Sequence, residues 1–206
     1  MRYIQKSDTP QFFKDDTKNL QNWKEYKEKR KLKKFLLENE QDFLCCYCEG
    51  KVDLDSSHIE HIKPKSLDIE KLTFDYKNLV ASCNGICNNN EDREYCGHKK
   101  ENNFDEDSFL NPTKVENIRE YFIYNIEGEI LPSKMDKTKS KYTIDLLQLN
   151  TSNSYLQEAR KKSLEQFRLS ARKKAQNKKE NIKGIVKNIL DKENLPFISF
   201  LRFHYE

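Results

Sequence analysis

The chain contains 206 residues with a mass of 24.7 kDa, and hydrophobic and charged residues each make up 35% of it. A chain of this length can bury a sizeable core without disulfides, and an aromatic content of 11% excludes a disordered tail. No apolar run approaches the roughly 18 residues of a membrane-spanning helix, and residues 1–10 lack the apolar stretch of a signal peptide. The sequence therefore predicts a folded, cytoplasmic protein that does not enter membranes.

Charge is segregated along the chain, although the formal net charge is only +4. Residues 24–34 hold seven bases and two acids, and residues 151–190 hold eleven bases and three acids. By contrast, residues 38–60 hold seven acids and one lysine. The basic run from Arg160 to Lys179 has two interpretations: a solvated helix face, or a surface that contacts phosphates and steers a polyanion.

The first 41 residues are predicted to be helical. Apolar residues recur at helical spacing among the lysines of this segment, namely Trp23, Tyr26, Leu32, Phe35 and Leu36. This pattern predicts a basic amphipathic helix. After residue 41, the runs FLCCYCEGKV and HIEHIKP are short and bounded by Gly, Ser and Pro, which favours short strands and turns.

The C-terminal part of the chain is predicted to be a hairpin followed by helices. Residues 120–131 place aromatic residues and isoleucine around Glu127-Gly128, which is typical of a β-hairpin. The next predicted helix carries Leu156, Ala159, Leu164, Phe167, Ala171 and Ala175 on one face. A further apolar stripe runs from Ile182 to Leu190 and ends before Pro196. With five glycines and five prolines in all, the sequence predicts one unit rather than linked domains.

Six cysteines in a reducing compartment favour metal ligation over disulfides. Cys45 and Cys48 are separated by two residues, a spacing that lets two thiolates on a tight turn bind one tetrahedral ion. Structural zinc prefers four thiolate or imidazole ligands, so the other ligands would come from Cys83, Cys87 and Cys96. Buried thiols without a metal are the alternative interpretation.

The stretch HIEH, residues 58–61, places three potential ligands or bases within four residues. On an extended segment, Glu60 and His61 point to opposite sides, and His58 lies on the Glu60 side. One side can then bind a metal ion while the other faces a separate target. The alternative is a surface strand whose histidines are solvated or belong to the zinc shell.

The order of these motifs resembles that of the HNH endonuclease superfamily. The chain reads QDFLCCYCE, HIEHIKPKS, FDYKNLVASC, CGHKK, FLNPT and TIDLLQLN in turn, which is similar to PtuB-type HNH proteins. Those proteins occur beside a PtuA-type ATPase in Septu and related retron anti-phage systems. The resemblance extends from about Trp23 to the C-terminus, and its most specific motifs are HIEHI and CYCE.

The resemblance implies a role for three residues. His61 corresponds to the general base that takes a proton from the attacking water, a role that suits a side chain with a pKa near neutrality. Glu60 corresponds to the acid that binds a hard divalent ion such as Mg²⁺ or Mn²⁺. Asn78 corresponds to the middle Asn of the family, which braces the loop that carries the base.

The third motif position has two candidate assignments. Simpler HNH sequences place the last ligand directly after a cysteine, which selects Cys87 and Asn88. The PtuB-like pattern opens a C-G-H-x-K stretch instead, which selects Cys96 and His98. We favour the second assignment, so that Glu60 and His98 would bind the divalent ion. The zinc ligands would then be Cys45, Cys48, Cys83 and Cys96, with Cys87 as a competing fourth ligand.

The expected fold is α+β: a ββα-metal core with a zinc knuckle over residues 42–112. A helical segment, residues 1–41, would precede this core, and a β-hairpin plus helices, residues 113–206, would follow it within a single nuclease unit. The expected function is metal-dependent hydrolysis of nucleic-acid phosphodiester bonds, with DNA as the default substrate and RNA also compatible.

The resemblance also implies a partner and a biological role. It predicts the nuclease effector of an anti-phage defence system that works with a PtuA-like ATPase. One of two aromatic groups, either Trp23 with Tyr26 or the aromatic side chains in residues 197–206, is expected to dock this partner because a monomer has difficulty covering them. The rival interpretation is a non-catalytic zinc-binding module that docks nucleic acid or protein.

Overall fold

Helices and two small antiparallel sheets make up the described part of the chain, as expected of an α+β fold. The computed structural model describes residues 1–67, 72–85, 94–150, 155–178, 181–192 and 194–206. Cys87 and Asn88, the alternative ligands, lie outside these residues. Within the described ranges, no helix combines the length and apolarity required to cross a bilayer.

The N-terminal region contains two short helices instead of one long amphipathic helix. Helix α1 spans Gln11–Thr17, and α2 spans Lys29–Leu36. A single π-helical turn, Leu37–Gln41, continues α2. Helix α2 buries the apolar stripe that its sequence pattern predicts, because Leu32 and Leu36 are both buried.

The predicted helix is wrong through Trp23 and Tyr26, because residues 21–28 form turns. Two polar side chains there accept hydrogen bonds from nearby backbone N–H groups. The Asn22 side chain accepts from Lys24 at 3.1 Å, and Glu25 accepts from the N–H of residue 21 at 2.9 Å. Such local bonds compete with the helical pattern, so the helix begins only at residue 29.

The first sheet consists of β1 (Ser57–His61) and β2 (Leu79–Cys83), paired antiparallel with Glu60 opposite Val80. All five residues of β2 are buried, because other elements cover both of its faces. The helical turn that precedes β2, Tyr76–Asn78, brings the chain back beside the end of β1.

The turn that carries CCYC is held against β2 by Gln41, which is fully buried. Its amide group donates to the carbonyls of Leu44 and Ala81 at 2.9 and 2.8 Å, and its carbonyl accepts from the N–H of Ala81 at 2.7 Å. Leu44 also forms an antiparallel bridge with Lys51 across the turn. These bonds confirm the expected short, strand-like knuckle and fix it beside the sheet.

Helix α3 (Cys96–Lys100) packs against β2 and follows it in the chain. Cys96 enters the helix with a positive φ of 59°, a left-handed conformation that costs a residue with a side chain about 1 kcal/mol or more. The N–H of Cys96 donates to the carbonyl of Leu147 at 2.8 Å, and the N–H of Gly97 donates to Ser82 Oγ at 3.2 Å. These two bonds set the start of α3 against the sheet.

The second sheet is the predicted hairpin, in which β3 (Phe122–Tyr124) pairs with β4 (Ile130–Pro132). Gly128 adopts a φ of 80° in the turn, and a Cβ there would lie 2.4 Å from the carbonyl oxygen of Gln157. Glycine is therefore required at this position both by the backbone conformation and by the close approach of the following helix.

Four helices complete the described chain: α4 (Lys137–Leu146), α5 (Tyr155–Lys178), α6 (Ile182–Leu190) and α7 (Ile198–Phe203). Buried Arg160 joins α5 to the hairpin and to the preceding loop, because its guanidinium donates to the carbonyls of Gly128 and Leu149 at 2.8 and 3.0 Å. The predicted helical stripes are confirmed at most positions, since Leu156, Leu164, Phe167 and Leu190 join the core. Ile182, at the start of α6, is the exception because it is 43% exposed.

The aromatic residues expected to dock a partner are largely covered by this chain itself. Tyr26 and Phe200 are each 1% exposed, and Phe197 is 8% exposed. Only Phe203 and Tyr205 in this C-terminal group remain substantially exposed. Tyr26, Phe197 and Phe200 are therefore covered without a partner, whereas Trp23 is half-buried.

A buried ion pair ties residues near the N-terminus to the first sheet. Lys6 Nζ lies 2.5 Å from Glu40 Oε2 and donates to the carbonyl of Leu79 at 2.8 Å. Glu40 also accepts from the backbone and hydroxyl of Ser7 and from Tyr76 OH at 2.5 Å. Burial lowers the pKa of Lys6 and the charge of Glu40 opposes this shift, so the lysine depends on its partner.

Glu40→Gln is expected to lower the free energy of unfolding by about 3–5 kcal/mol, because it leaves the Lys6 ammonium buried without an opposite charge. Chemical denaturation with a constant m value checks this expectation. Glu38→Gln is the matched control: Glu38 pairs with Lys34 at 3.8 Å on the surface, so its loss should change stability by less than about 1 kcal/mol. Equal effects of the two substitutions would contradict the role of the buried pair.

Candidate active site and metal centre

Four buried cysteines, Cys45, Cys48, Cys83 and Cys96, place their sulfur atoms within 4.8 Å of one another. The sulfurs of Cys48 and Cys83 are 3.9 Å apart. Zinc–sulfur bonds of about 2.3 Å in a tetrahedron separate neighbouring sulfurs by about 3.8 Å, so the cluster fits a four-coordinate ion. These are the four cysteines that the sequence analysis favoured, and buried Cys46 lies outside the set.

Backbone donors contact two sulfurs of this cluster, and neighbouring thiols favour negative charge on Cys45. The N–H of Cys83 donates to Cys45 Sγ at 3.3 Å, and the N–H of Gly50 donates to Cys48 Sγ at 3.4 Å. Burial acts to raise the pKa of the Cys45 thiol, but hydrogen bonds from Cys46 and from the other three cysteines of the cluster hold it well below its usual value. Hydrogen bonds with Cys45 and Cys48 raise the pKa of Cys83, and burial raises the pKa of Cys96. The cluster therefore favours one thiolate among buried thiols, and a soft divalent cation that bound there would displace the remaining protons.

The two halves of the cluster meet because Gly85 and Tyr95, which lie on either side of residues 86–93, are joined. The N–H of Tyr95 donates to the carbonyl of Gly85 at 3.0 Å. Gly85 has a φ of 62°, and a Cβ at this residue would lie 2.0 Å from the carbonyl oxygen of Tyr95. This close backbone contact brings Cys96 beside Cys83, the last residue of β2.

Glu60 is held by donors on one of its carboxylate oxygens. Lys100 Nζ lies 3.0 Å from Glu60 Oε1, and Tyr47 OH donates to the same oxygen at 3.1 Å. Lys100 is 0% exposed, which is unusual for a lysine. Its Nζ also donates to the carbonyl of His61 at 3.3 Å. The carboxylate is therefore fixed in position, and its second oxygen is left for another partner.

Two imidazoles lie on the side of the second oxygen. His58 Nε2 is 3.6 Å from Glu60 Oε2, and the ring centroids of His58 and His98 are 4.5 Å apart. Nδ1 of His58 is buried and has no hydrogen-bond partner among the described residues. A Cβ on Gly97 would lie 2.7 Å from His58 Nε2 and 2.8 Å from Glu60 Oε2, so the start of α3 closes tightly on this group. One carboxylate oxygen and two imidazoles form a donor set that a divalent ion accepts.

His61 lies on the other side of β1, as the alternation of the strand predicts. Its Nε2 is 3.0 Å from the carbonyl oxygen of Thr73. A carbonyl can only accept, so this nitrogen carries the proton in the neutral ring and Nδ1 keeps its lone pair. The ring also meets Trp23 edge-on, with centroids 4.7 Å apart.

The charge state of His61 follows from its surroundings. Burial lowers the pKa of His61 to about 4, with the carbonyl of Thr73 opposing the shift and the charge of Lys65 adding to it. The imidazole is therefore neutral at pH 7. A neutral, oriented imidazole with one free lone pair has the properties of a proton acceptor.

Asn78 fastens the loop that follows β1. Its side-chain oxygen accepts from the N–H of Lys63 at 2.7 Å, and its amide donates to the carbonyl of Lys63 at 2.9 Å. The same amide reaches the carbonyl of Leu72 at 3.4 Å. These bonds join the end of β1 to the segment that supplies the Thr73 carbonyl, which is the placement expected of a bracing residue.

The structure thus brings Glu60 and His98 into one group and places His61 on the opposite side of the strand. It also adds side chains that the sequence analysis did not assign, namely Tyr47 and Lys100 on Glu60 and Trp23 on His61. The Thr73 contact had no signal in the sequence, because a backbone carbonyl carries no residue-type information. Lys100 belongs to the CGHKK motif, but its burial could not be predicted from an exposed-looking run of lysines.

Two curated relatives match this chain, and both are named as putative HNH endonucleases of retrons. The Vc95 protein of Vibrio cholerae serotype O1 biovar El Tor is 36% identical over 133 residues, which cover 62% of this chain and 60% of the relative. The Ec83 protein of Escherichia coli is 27% identical over 177 residues, covering 70% of this chain and 69% of the relative. The chain therefore spans less than two thirds of the length of the Vibrio protein. No family model matches the chain.

Proposed function

We propose that this chain, a homologue of the retron proteins named HNH endonucleases, is a metal-dependent endonuclease that hydrolyses nucleic-acid phosphodiester bonds. DNA is the default substrate. RNA would also be accepted, because the groups of the site would contact a phosphate rather than a sugar. The β1, β2 and α3 elements would form its ββα-metal core. The cysteine cluster would hold a structural Zn²⁺, and Glu60 with His98 would hold Mg²⁺ or Mn²⁺.

The observation that carries this proposal is the environment of His61. A hydrogen bond between Nε2 and the Thr73 carbonyl leaves Nδ1 as the free acceptor. A solvated histidine on a structural strand has no need of a fixed tautomer, whereas a general base requires one. In the proposed reaction, His61 Nδ1 takes a proton from the water that attacks phosphorus.

The opposite side of the strand would supply the electrostatic part of the reaction. Glu60 Oε2 faces His58 and His98, while Lys100 and Tyr47 hold Oε1. When bound there, a Mg²⁺ or Mn²⁺ ion would polarise the phosphate and stabilise the leaving oxygen. The protein's own contribution is to hold this carboxylate rigidly, so that little reorganisation is needed when negative charge develops.

Glu60→Gln is expected to weaken binding of Mg²⁺ or Mn²⁺ by at least about tenfold, because a hard cation prefers a charged carboxylate oxygen to an amide. Excess metal should partly restore cleavage in this variant. Glu158→Gln, which removes an exposed acid paired with Lys161 on α5, is the matched control. Metal titration by calorimetry, together with cleavage rates at several metal concentrations, measures both effects. Unchanged metal affinity in Glu60→Gln would remove Glu60 from the divalent-ion site.

A cleavage assay separates the proposed nuclease from a non-catalytic zinc-binding module. Plasmid DNA and total RNA are incubated with the purified protein and Mg²⁺ or Mn²⁺, with and without a chelator. The proposal predicts cleavage that requires the added ion, and the substrate that is cut distinguishes DNA from RNA activity. Binding without cleavage under every condition, including with a partner present, would favour the docking module.

We also propose a defence role with an ATPase partner, in keeping with the retron assignment in the names of the relatives and with the PtuB-like order of motifs. Exposed Phe203 and Tyr205 at the C-terminal end are the aromatic side chains that remain for such a contact. Co-expression with a PtuA-type ATPase followed by size-exclusion chromatography tests assembly. Co-elution that is lost in Phe203→Ser supports the contact, and separate elution of the two proteins contradicts it.

A further inference from the structure

A groove of about 370 Å³ lies beside the candidate active site, between α2 and the edge of β1. We call it the α2 groove, and it is lined chiefly by Trp23, Lys29, Arg30, Lys33, His58 and Ile59. The groove touches both sides of the site. Its Trp23 contacts the ring of His61, and its His58 lies next to Glu60 and His98.

The charge of the α2 groove is positive. Lys29, Arg30 and Lys33 all come from one face of α2. Two acids of the described chain lie near these cations: Asp55 pairs with Arg30 at 2.8 Å on the exposed surface, and Asp53 and Asp55 both act on Lys33 through their charge. Lys33 is fixed to the wall by a bond to the carbonyl of Ser57. Burial lowers the pKa of Lys65, and the charge of nearby Lys29 lowers it further.

The floor of the groove is aromatic. Trp23 is partly exposed, and Lys29 Nζ lies 5.7 Å from the centroid of its ring. Tyr26, Phe74 and His61 pack around Trp23 with centroid distances of 4.7 to 6.0 Å, so the indole is held in place from within the protein. A rigid aromatic ring among cations is the combination that binds unpaired bases and their phosphates.

We propose that the α2 groove binds a single-stranded segment of the nucleic-acid substrate. Its phosphates contact Lys29 and Arg30, and one of its bases stacks on Trp23. The strand then passes from Trp23, beside His61, toward the His58 side of the site. A duplex keeps its base faces stacked internally, so it cannot use Trp23 in this way. This inference rests on the proposed function, since it identifies the form of substrate that the same site receives.

The groove differs from the other basic surface of the chain. Arg168, Arg172, Lys183 and Lys187 line a separate cavity between the C-terminal helices, which shares no lining residue with the α2 groove. The basic composition of residues 160–179 also allows a phosphate contact there. The contacts of Trp23 and His58 with the candidate site favour the N-terminal basic run instead.

The test is direct binding of a fluorescein-labelled 12-nucleotide single strand to the zinc-loaded protein, with His61 unchanged and without added Mg²⁺ or Mn²⁺. The double variant Lys29→Gln/Arg30→Gln should lower affinity about tenfold at 0.1 M salt and reduce the slope of log K against log salt by about 1.4, since each phosphate contact contributes roughly 0.7 on a single strand. Fluorescence anisotropy at several salt concentrations measures both quantities.

The control removes the same charge from the other face of the same helix. Lys31 lies over the ring of Phe12, and Lys34 pairs with Glu38, so Lys31→Gln/Lys34→Gln changes net charge equally outside the groove. Affinity in this control should change by less than about twofold. Equal losses in the two double variants would overturn the proposal, because they would reflect net charge alone.

A second pair of variants tests stacking. Trp23→Leu should weaken single-strand binding about tenfold, and Trp23→Phe should restore most of it, since both aromatic rings offer a face to a base. Duplex binding should change little in either variant. Tighter binding of duplex than of single strand, or equal binding by the Leu and Phe variants in proteins with equal melting temperatures, would overturn the assignment.

These binding results can be separated from the proposed activity. If single-strand binding depends on the groove residues but no cleavage is seen under any condition, the binding role of the α2 groove stands and the proposed nuclease activity is wrong. If the protein shows metal-dependent cleavage but the Lys29/Arg30 and Trp23 substitutions leave single-strand binding unchanged, the proposed nuclease activity stands and the proposed binding role of the α2 groove is wrong.

Discussion

Replacement of His61 by alanine is expected to lower the rate of cleavage by about 10²- to 10⁴-fold, the usual cost of removing a general base. The ring donates through Nε2 to the Thr73 carbonyl and packs against Trp23, so its Nδ1 is the group whose loss matters. Bound zinc should be unchanged, because the substitution touches none of the four cysteines. Single-turnover cleavage rates, with circular dichroism and zinc content measured on the same samples, check this result.

His58→Ala is the comparison within the same strand. His58 has no matched catalytic position in the motif, so a smaller loss than for His61→Ala is expected. His58 Nε2 lies 3.6 Å from Glu60 Oε2, so this loss should appear mainly as a lower affinity for Mg²⁺ or Mn²⁺. A folded His61→Ala protein with nearly full activity would return the HIEH stretch to a structural role.

Cys48→Ser is expected to abolish both zinc binding and cooperative unfolding. A structural zinc site contributes folding free energy directly, with apparent values of about 10–16 kcal/mol for zinc-finger peptides, while a whole domain is stable by only about 5–15 kcal/mol. Loss of this ligand would leave three buried sulfurs without a cation. It would also remove the Cys48 sulfur that accepts from the N–H of Gly50. Metal analysis should give about one zinc per wild-type chain and little in the variant.

Cys46→Ala is the matched control for this substitution. Cys46 is buried two residues away but lies outside the cluster, so its loss removes a small side chain and its hydrogen bond to Cys45 but no zinc ligand. Zinc content should stay at the wild-type level and thermal unfolding should remain cooperative.

Retained zinc in Cys96→Ser together with loss of zinc in Cys87→Ser would contradict the choice of fourth ligand.

Local periodicity predicted much of what the structure describes. The alternation of an extended strand places His58 with Glu60 and separates both from His61, and β1 has this arrangement. The hairpin around Gly128 follows from a glycine in a turn between short apolar runs. These features depend on a few neighbouring residues, so a single sequence contains enough information to predict them.

The groups that orient the site could not be predicted in this way. Lys100 reaches Glu60 across 40 residues of chain, and the Thr73 carbonyl reaches His61 across 12. Helical spacing predicts that Trp23 lies in a helix, whereas its contact with His61 depends on turns in residues 21–28. Such contacts arise from tertiary packing, which overrides local propensity and leaves no periodic trace in the sequence.

The most direct test is a titration of Mg²⁺ into the zinc-loaded protein with plasmid DNA and RNA, measuring the single-turnover cleavage rate at each concentration. Metal-dependent hydrolysis at this site predicts no cleavage without Mg²⁺, a saturable rise as Mg²⁺ is added, and a constant content of bound zinc throughout. Cleavage that persists without divalent ions, or no cleavage of either substrate at any concentration of Mg²⁺ or Mn²⁺, would contradict it.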